Sequence, residues 1–243
     1  MEEISKEKAI LFYSLKVAIG FAVLCIVVHL IFLILPIHKY DWSIYPRDVG
    51  QIYGIITGQF IHASWGHLLT NIPPLLVSTW VLFYFYRSIG WSSFTLILMI
   101  TGFMVFLFAR NSSHIGASGL IYGLISFIFF SGIFRRNVKS IILMIIMVIM
   151  YSGYMAGFFP MEEKISWESH LFGAIAGLWT AFVFRNYREH DEEPIVFDWK
   201  GIDRAPAELY FPRDLFDKTL EERSREQELQ NDETNESIIR DDR

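Results

Sequence analysis

The sequence has a single cysteine, Cys25, and it lies inside the first apolar run. One thiol excludes an internal disulfide and leaves no thiolate set for a metal. A zinc hydrolase would have to rely on histidine and carboxylate ligands, yet the HExxH arrangement occurs nowhere in the chain. A concentrated basic face is also missing, which argues against a nucleic-acid partner. The net charge of −5 divides instead into two unequal parts. Residues 1–185 carry 12 Lys and Arg against 8 Asp and Glu, while residues 186–243 carry 9 against 18. The first apolar run is preceded by Lys6 and Lys8, but no small-residue cleavage site comes after it, so it is expected to be a retained span.

Long hydrophobic runs are abundant. With 53% hydrophobic residues and a mean hydropathy of +0.35, the chain is too apolar for an ordinary soluble domain. The runs reach roughly 17 to 25 residues, the length a helix needs to cross hydrocarbon. They predict an all-α, polytopic membrane protein with spans near 11–35, 67–86, 92–109, 116–134, 138–159 and 168–184. On this reading residues 1–10 are a short N-terminal segment, 11–185 the six-span core, and 186–243 an acidic, partly disordered soluble tail. The link 37–65 is mixed, with Trp42, Tyr45 and Trp65, and suits the bilayer interface. In the tail, Pro194, Pro206 and Pro212 break any long helix, and residues 214–231 have the alternating charges of one exposed helix.

Cation placement orients the spans. Arg87, Arg135, Arg136, Lys139, Arg185 and Arg188 fall in alternate links, and with Lys6 and Lys8 they predict both termini in the cytoplasm. The three spans that then run from outside to inside each begin with polar residues. Ser118 is 17 residues before Arg135, His170 is 15 before Arg185, and Asn71 is 16 before Arg87. At ~1.5 Å per residue these stand ~26, ~23 and ~24 Å above the inner edge. A hydroxyl, an imidazole and an amide on separate spans therefore share one depth.

Those residue types suit acyl transfer. Serine is a weak nucleophile until a base takes its proton, and histidine has the pKa for that task. The oxyanion formed on attack needs donors, available from His67, the Asn71 amide and the Ser118 backbone N–H. Gly116 and Gly119 permit close approach of backbone around the serine. Gly173 and Gly177, four apart, form a small-residue face on the last span that lets helices pack closely.

These residues together resemble the rhomboid intramembrane serine proteases. Gly-Ala-Ser-Gly-Leu-Ile-Tyr-Gly (116–123) is similar to that family's nucleophile motif, and Ser-His-Leu-Phe-Gly-Ala-Ile-Ala-Gly (169–177) to its base motif. His62, His67 and Asn71 match its second-span signature. The resemblance covers about residues 10–185. It implies a six-helix core, a Ser–His dyad of Ser118 and His170 without a third acid, no cofactor, and transmembrane substrates, with single-span proteins expected. It further implies that Tyr122 packs against the base ring, and it leaves His62 between structural and site support. The first outer link departs from the family in lacking an adjacent Trp-Arg pair.

Each residue also has a plainer reading on its own. An intramembrane serine commonly bonds to its own helix. His170 alone would pass for an interface histidine, and His67 and Asn71 for interhelical hydrogen bonds. His29 is expected to make one interhelical hydrogen bond, and His114, in the link before Ser118, to be solvated. For the whole chain, the rivals are a catalytically silent rhomboid-like binding protein and a small transporter. A silent relative typically lacks the serine or the histidine, whereas this chain has both. A transporter would place ionisable groups near the midplane.

Overall fold

The computed structural model of the chain describes residues 2–153, 157, 166–189, 218–226 and 229. It forms two units, Met1–Glu193 and Pro194–Arg243. The first is an all-α membrane bundle. Its helices are α1 (Glu2–Ile34), a one-turn α2 (Gly54–Thr57), α3 (Trp65–Phe85), α4 (Gly90–Phe108), α5 (Ser118–Arg135), α6 (Val138–Tyr151) and α7 (Trp167–Val183). Each expected span coincides with one of the long helices, though their ends differ. Within α1, α3, α4 and α5 the stretches Ile4–Ile34, Trp65–Phe85, Gly90–Phe108 and Ser118–Arg135 are long and apolar enough to cross a bilayer.

Helix α1 starts well before the expected residue 11. Its first turns are tied to α3, where Tyr84 donates its hydroxyl to Glu7 at 3.3 Å and Arg87 lies 3.8 Å from the same carboxylate. Ser14, Ala18, Ala22, Cys25 and His29 form a buried stripe at spacings of three and four, while Phe12, Ile19, Val23 and Val27 are exposed. The stripe packs on α3, and the exposed set suits lipid.

Helix α5 is the centre of the bundle, with Leu120, Ile121, Leu124, Phe127 and Ile128 fully buried. Its tightest partner is α7. A Cβ on Gly173 would strike the Gly119 carbonyl, and one on Gly177 would strike the Gly123 carbonyl. The absence of side chains there lets the two backbones touch. Helix α6, at 14 residues, and α7, at 17, are ~21 and ~25 Å long against a hydrocarbon core of ~30 Å. Residues 154–165, including Glu162, Glu163 and Lys164, lie outside the described residues apart from Gly157.

The link between α1 and α3, the expected first outer link, is folded into single turns at Lys39–Trp42, Val49–Gln51, Gly54–Thr57 and Gly58–Phe60. Arg47 takes a left-handed φ of 65° and caps the end of α4. Its backbone N–H bonds Phe106 O at 2.9 Å, and its guanidinium donates to the carbonyls of Leu107 (3.0 Å) and Ala109 (2.9 Å) and to Asn111 Oδ1. This satisfies carbonyls that a helix end leaves open. One arginine thus ties down a link that has no adjacent Trp-Arg pair.

In the second unit, residues 220–226 are helical. Thr219 and Glu222 cap this turn reciprocally, with Thr219 N–H donating to Glu222 Oε2 at 2.8 Å. The rest of the expected 214–231 helix, apart from Lys218, Thr219 and Leu229, and the tail prolines lie outside the described residues.

Candidate active site

His170 is the fourth residue of α7, one turn beyond the N-cap Ser166. Its Nδ1 is 2.8 Å from the carbonyl of Gly157. A carbonyl can only accept, so Nδ1 carries the hydrogen, and a neutral ring then has its lone pair on Nε2. Tyr122 stacks on the imidazole with ring centroids 4.2 Å apart and planes 10° from parallel. The ring is therefore fixed in both tautomer and plane. A Cβ on Gly157 would run into the Tyr122 hydroxyl and come within 2.9 Å of His170 Nδ1.

Ser118 is the first residue of α5. Its backbone N–H is one of the donors a helix start leaves without an intrahelical partner, at the positive end of the helix dipole. Other hydroxyls in these helices bond back to their own turns, as Ser78 does to Pro74 O at 2.6 Å and Thr180 to Ala176 O at 2.8 Å. Among the described residues, the Ser118 hydroxyl forms no such bond and none to His170. The two side chains line one cavity of about 830 Å³ with His67, Asn71, Tyr122 and Gly157. In hydrolytic sites a serine and a histidine often close to hydrogen-bond distance only when substrate arrives.

The segment leading into Ser118 is held by hydrogen bonds. Gly116 has a φ of +117°, a conformation that favours glycine, and its N–H bonds Gly58 O at 3.0 Å. A Cβ there would stand 2.7 Å from the His67 ring. His62 is buried, accepting the Ala117 N–H at Nε2 (3.4 Å) and donating Nδ1–H to Phe60 O (3.2 Å). Burial, aided by the neighbouring His67, pushes the His62 pKa down to about 4, so the ring stays neutral in that pattern. His67 stands edge-on to His62 at 5.1 Å. Its Nδ1 lies 3.5 Å from the Ala63 N–H, which leaves the Nε2–H as its donor. Asn71 is buried and donates one amide hydrogen to His67 O at 2.8 Å, leaving a second.

Gly119, Gly173 and Gly177 lie in the α5–α7 contact rather than in the cavity wall. Gly119 also faces Thr101 and Ser169, where a Cβ would meet Cγ2 at 3.0 Å and a carbonyl at 3.1 Å.

Two other histidines differ from expectation. His114 is not solvated but 2% exposed, because its backbone forms a bridge with Ile44 and its ring is held on both sides. Among the described residues His29 makes no interhelical hydrogen bond. It is buried with Nε2 unpartnered and meets Trp65 edge to face, ring centroids 4.7 Å apart at 75°. Sequence reading also missed Gly157, since a carbonyl contact leaves no side-chain signature. Among the described residues no group of three His, Cys, Asp or Glu is placed to hold a metal.

A second cavity of about 590 Å³ lies between α5, α6 and α7 and is apolar, with Phe129, Met147, Leu171 and Ile175 in its wall. Tyr122 borders both cavities.

Comparison with known proteins gives these observations a family. The Rhomboid domain family matches residues 49–187, more than half of the chain. Uncharacterized proteins of Mycobacterium tuberculosis and Mycobacterium bovis are 31% identical over 154 residues, which cover 58% of this chain and 62% of theirs. The chain thus spans about three fifths of the length of these relatives. A rhomboid-like protease 5 of Toxoplasma gondii is 25% identical over 163 residues, covering 64% of this chain and 18% of that protein.

Proposed function

This chain belongs to the rhomboid family, and from that premise we propose that it is an intramembrane serine endopeptidase working with Ser118 and His170. The observation that carries the reading is the pair of contacts on His170. With Nδ1–H given to Gly157 and the ring stacked on Tyr122, Nε2 is left to accept a proton, and the Ser118 hydroxyl lining the same cavity has no hydrogen bond among the described residues.

In the reaction, Ser118 Oγ bonds to the carbonyl carbon of the scissile peptide while its proton passes to His170 Nε2. The carbonyl π pair moves to oxygen, and the resulting oxyanion is met by the Ser118 N–H, the second Asn71 amide hydrogen and His67 Nε2–H. When the C–N bond breaks, His170 returns the proton to the leaving amine. Water then attacks the ester, again giving its proton to His170, and the acyl group leaves as a carboxylic acid with the Ser118 hydroxyl restored. His62 supports the site by holding Ala117, and Gly116 by admitting the His67 ring. None of these steps calls for a cofactor.

The substrates are transmembrane proteins, single-span ones above all. The cation pattern supports termini in the cytoplasm and a cavity near the outer face of a cell membrane. The scissile bond then comes from the outer end of a substrate helix. Opening that helix in hydrocarbon exposes backbone groups at several kcal/mol each, so Gly, Pro or polar residues just below the cut should favour cleavage.

The test is labelling with a serine-directed fluorophosphonate together with cleavage of a single-span substrate in bilayers. Ser118→Ala and His170→Ala should each abolish both while remaining folded. Cleavage by Ser118→Ala at the normal rate would remove the dyad assignment. A folded wild-type chain that neither labels nor cleaves would favour a silent binding protein.

A further inference from the structure

Ser118 and His170 belong to different helices, and proton transfer between them depends on how the first turn of α7 is set against the start of α5. The glycine contacts of Gly119 with Gly173 and of Gly123 with Gly177 lie progressively deeper along α7. They hold the helix pair together, with Gly119 also against the Ser169 carbonyl in the first α7 turn, and polar ties add to the setting of that turn.

Those ties come from the link 109–117, the same link that ends on Ser118. Arg110 Nε is 3.3 Å from Glu168 Oε1, the second residue of α7. The Glu168 carboxylate is buried, and among the described residues its other oxygen has no hydrogen-bond partner. A buried carboxylate is retained only against strong compensation. The ion pair with the link is the compensation this structure offers.

His114 is the second tie. Its Nε2 is 3.0 Å from Arg110 O, so it carries the hydrogen, and Nδ1 is left to accept the Ser166 hydroxyl at 2.5 Å. The Ser166 oxygen in turn lies 2.6 Å from Ser169 Oγ and accepts the Ser169 N–H at 3.4 Å. The backbone N–H and carbonyl of His114 bond Ile44 at 2.9 and 3.0 Å. Every polar group of this buried residue is therefore used, and it joins the first outer link, the nucleophile link and the N-cap of α7 at one point.

We propose that His114 and Glu168 are positioning residues that clamp the segment carrying Ser118 to the turn carrying His170. This rests on the proteolytic reading above. Neither side chain is in the proposed chemistry. His114 acts on His170 through Ser166, and Glu168 through the rotation of α7 that its bond to Arg110 opposes.

The experiment uses the full chain in bilayer nanodiscs with His114→Ala, His114→Gln and Glu168→Gln. Two readouts are taken: kcat and KM on a single-span substrate, and backbone hydrogen exchange of the peptide covering 166–172. Small misplacement of reacting groups is costly, so His114→Ala and Glu168→Gln should lower kcat by about ten- to a hundredfold. KM should stay near the wild-type value. Exchange should rise in 166–172 and not in the remainder of α7. His114→Gln, whose amide can both donate and accept, should recover part of both losses. Unchanged exchange and unchanged kcat in Glu168→Gln and in His114→Ala would overturn the clamp, and if His114→Ala fails to fold, Glu168→Gln decides. If the wild-type chain does not cleave, the proteolytic reading fails, and exchange alone judges the clamp.

Discussion

The carbonyl of Gly157 takes the Nδ1 hydrogen of His170 at 2.8 Å, so a residue outside α7 decides which nitrogen of the ring is free. No carboxylate does this work. A backbone acceptor fixes the tautomer and orientation without adding a charge in a low-dielectric setting, where an unpaired charge would be expensive.

Replacing Gly157 with valine should show this. The new side chain would be forced against the Tyr122 hydroxyl and His170 Nδ1, displacing the carbonyl or tilting the ring. We expect kcat to fall by about a hundredfold with KM little changed, as for a displaced catalytic group. Initial rates over a range of substrate concentrations, with melting temperature as a control for folding, would check it. Wild-type kcat in a folded Gly157→Val protein would show that the carbonyl is dispensable.

The proposed oxyanion donors can be separated in the same assay. His67→Ala and Asn71→Ala should each lower kcat by about 10² to 10³, less than the loss of Ser118. Asn71→Ala also removes the bond to His67 O, so melting temperature is read beside kcat to separate that loss from the loss of the second amide hydrogen. Full activity in both single variants and in the double variant would reduce these residues to helix packing.

Much of this arrangement was legible in the sequence, and the reasons are physical. Lipid leaves only runs of one length and polarity as spanning helices, so the runs themselves located α1 and α3 to α7. Polar residues in such runs are few, which made Asn71, Ser118 and His170 conspicuous and allowed their depths to be compared; they line one cavity. Links gave less away. His114 looks like any polar loop residue until its pairing with Ile44 shows why it is buried. Arg110 and Glu168 are 58 positions apart, and nothing in local spacing joins them. The start of α1 was set too late because its charged first turns are held by Tyr84 and Arg87, partners distant in sequence.

Stability should depend on pH through His62. Burial lowers its pKa from 6.5 to about 4 in the folded chain, whereas the unfolded chain keeps the ordinary value. Between those values the unfolded state binds more protons, so stability is lost as pH falls from about 6.5 towards 4. Burial also lowers the pKa of His114, which adds in the same direction. Unfolding in detergent followed across that range should show the decline, and His62→Gln should flatten it. An unaltered slope in His62→Gln would assign the effect elsewhere.

The last prediction concerns where the tail can be removed. Cutting after Arg188 looks harmless by composition, since residues 189–243 are polar and acidic. The first residue lost, however, is Glu189, which is fully buried. Its carboxylate accepts the Ser88 hydroxyl at 2.6 Å and the Ser88 N–H at 3.3 Å, tying the end of the core to the link between α3 and α4. Hydrogen bonds to a charged group contribute about 1.5 to 3 kcal/mol each. A chain ending at Glu193 keeps this tie and should match the full chain in melting temperature and in intrinsic activity on a detergent-solubilised substrate. A chain ending at Arg188 should melt lower, and Glu189→Ala in the full chain should reproduce that drop. Equal melting of the two truncated chains would show that Ser88 finds another partner and that Glu189 contributes nothing to the bundle. Loss of all activity in the folded 1–193 chain would instead make the tail part of the catalytic machinery.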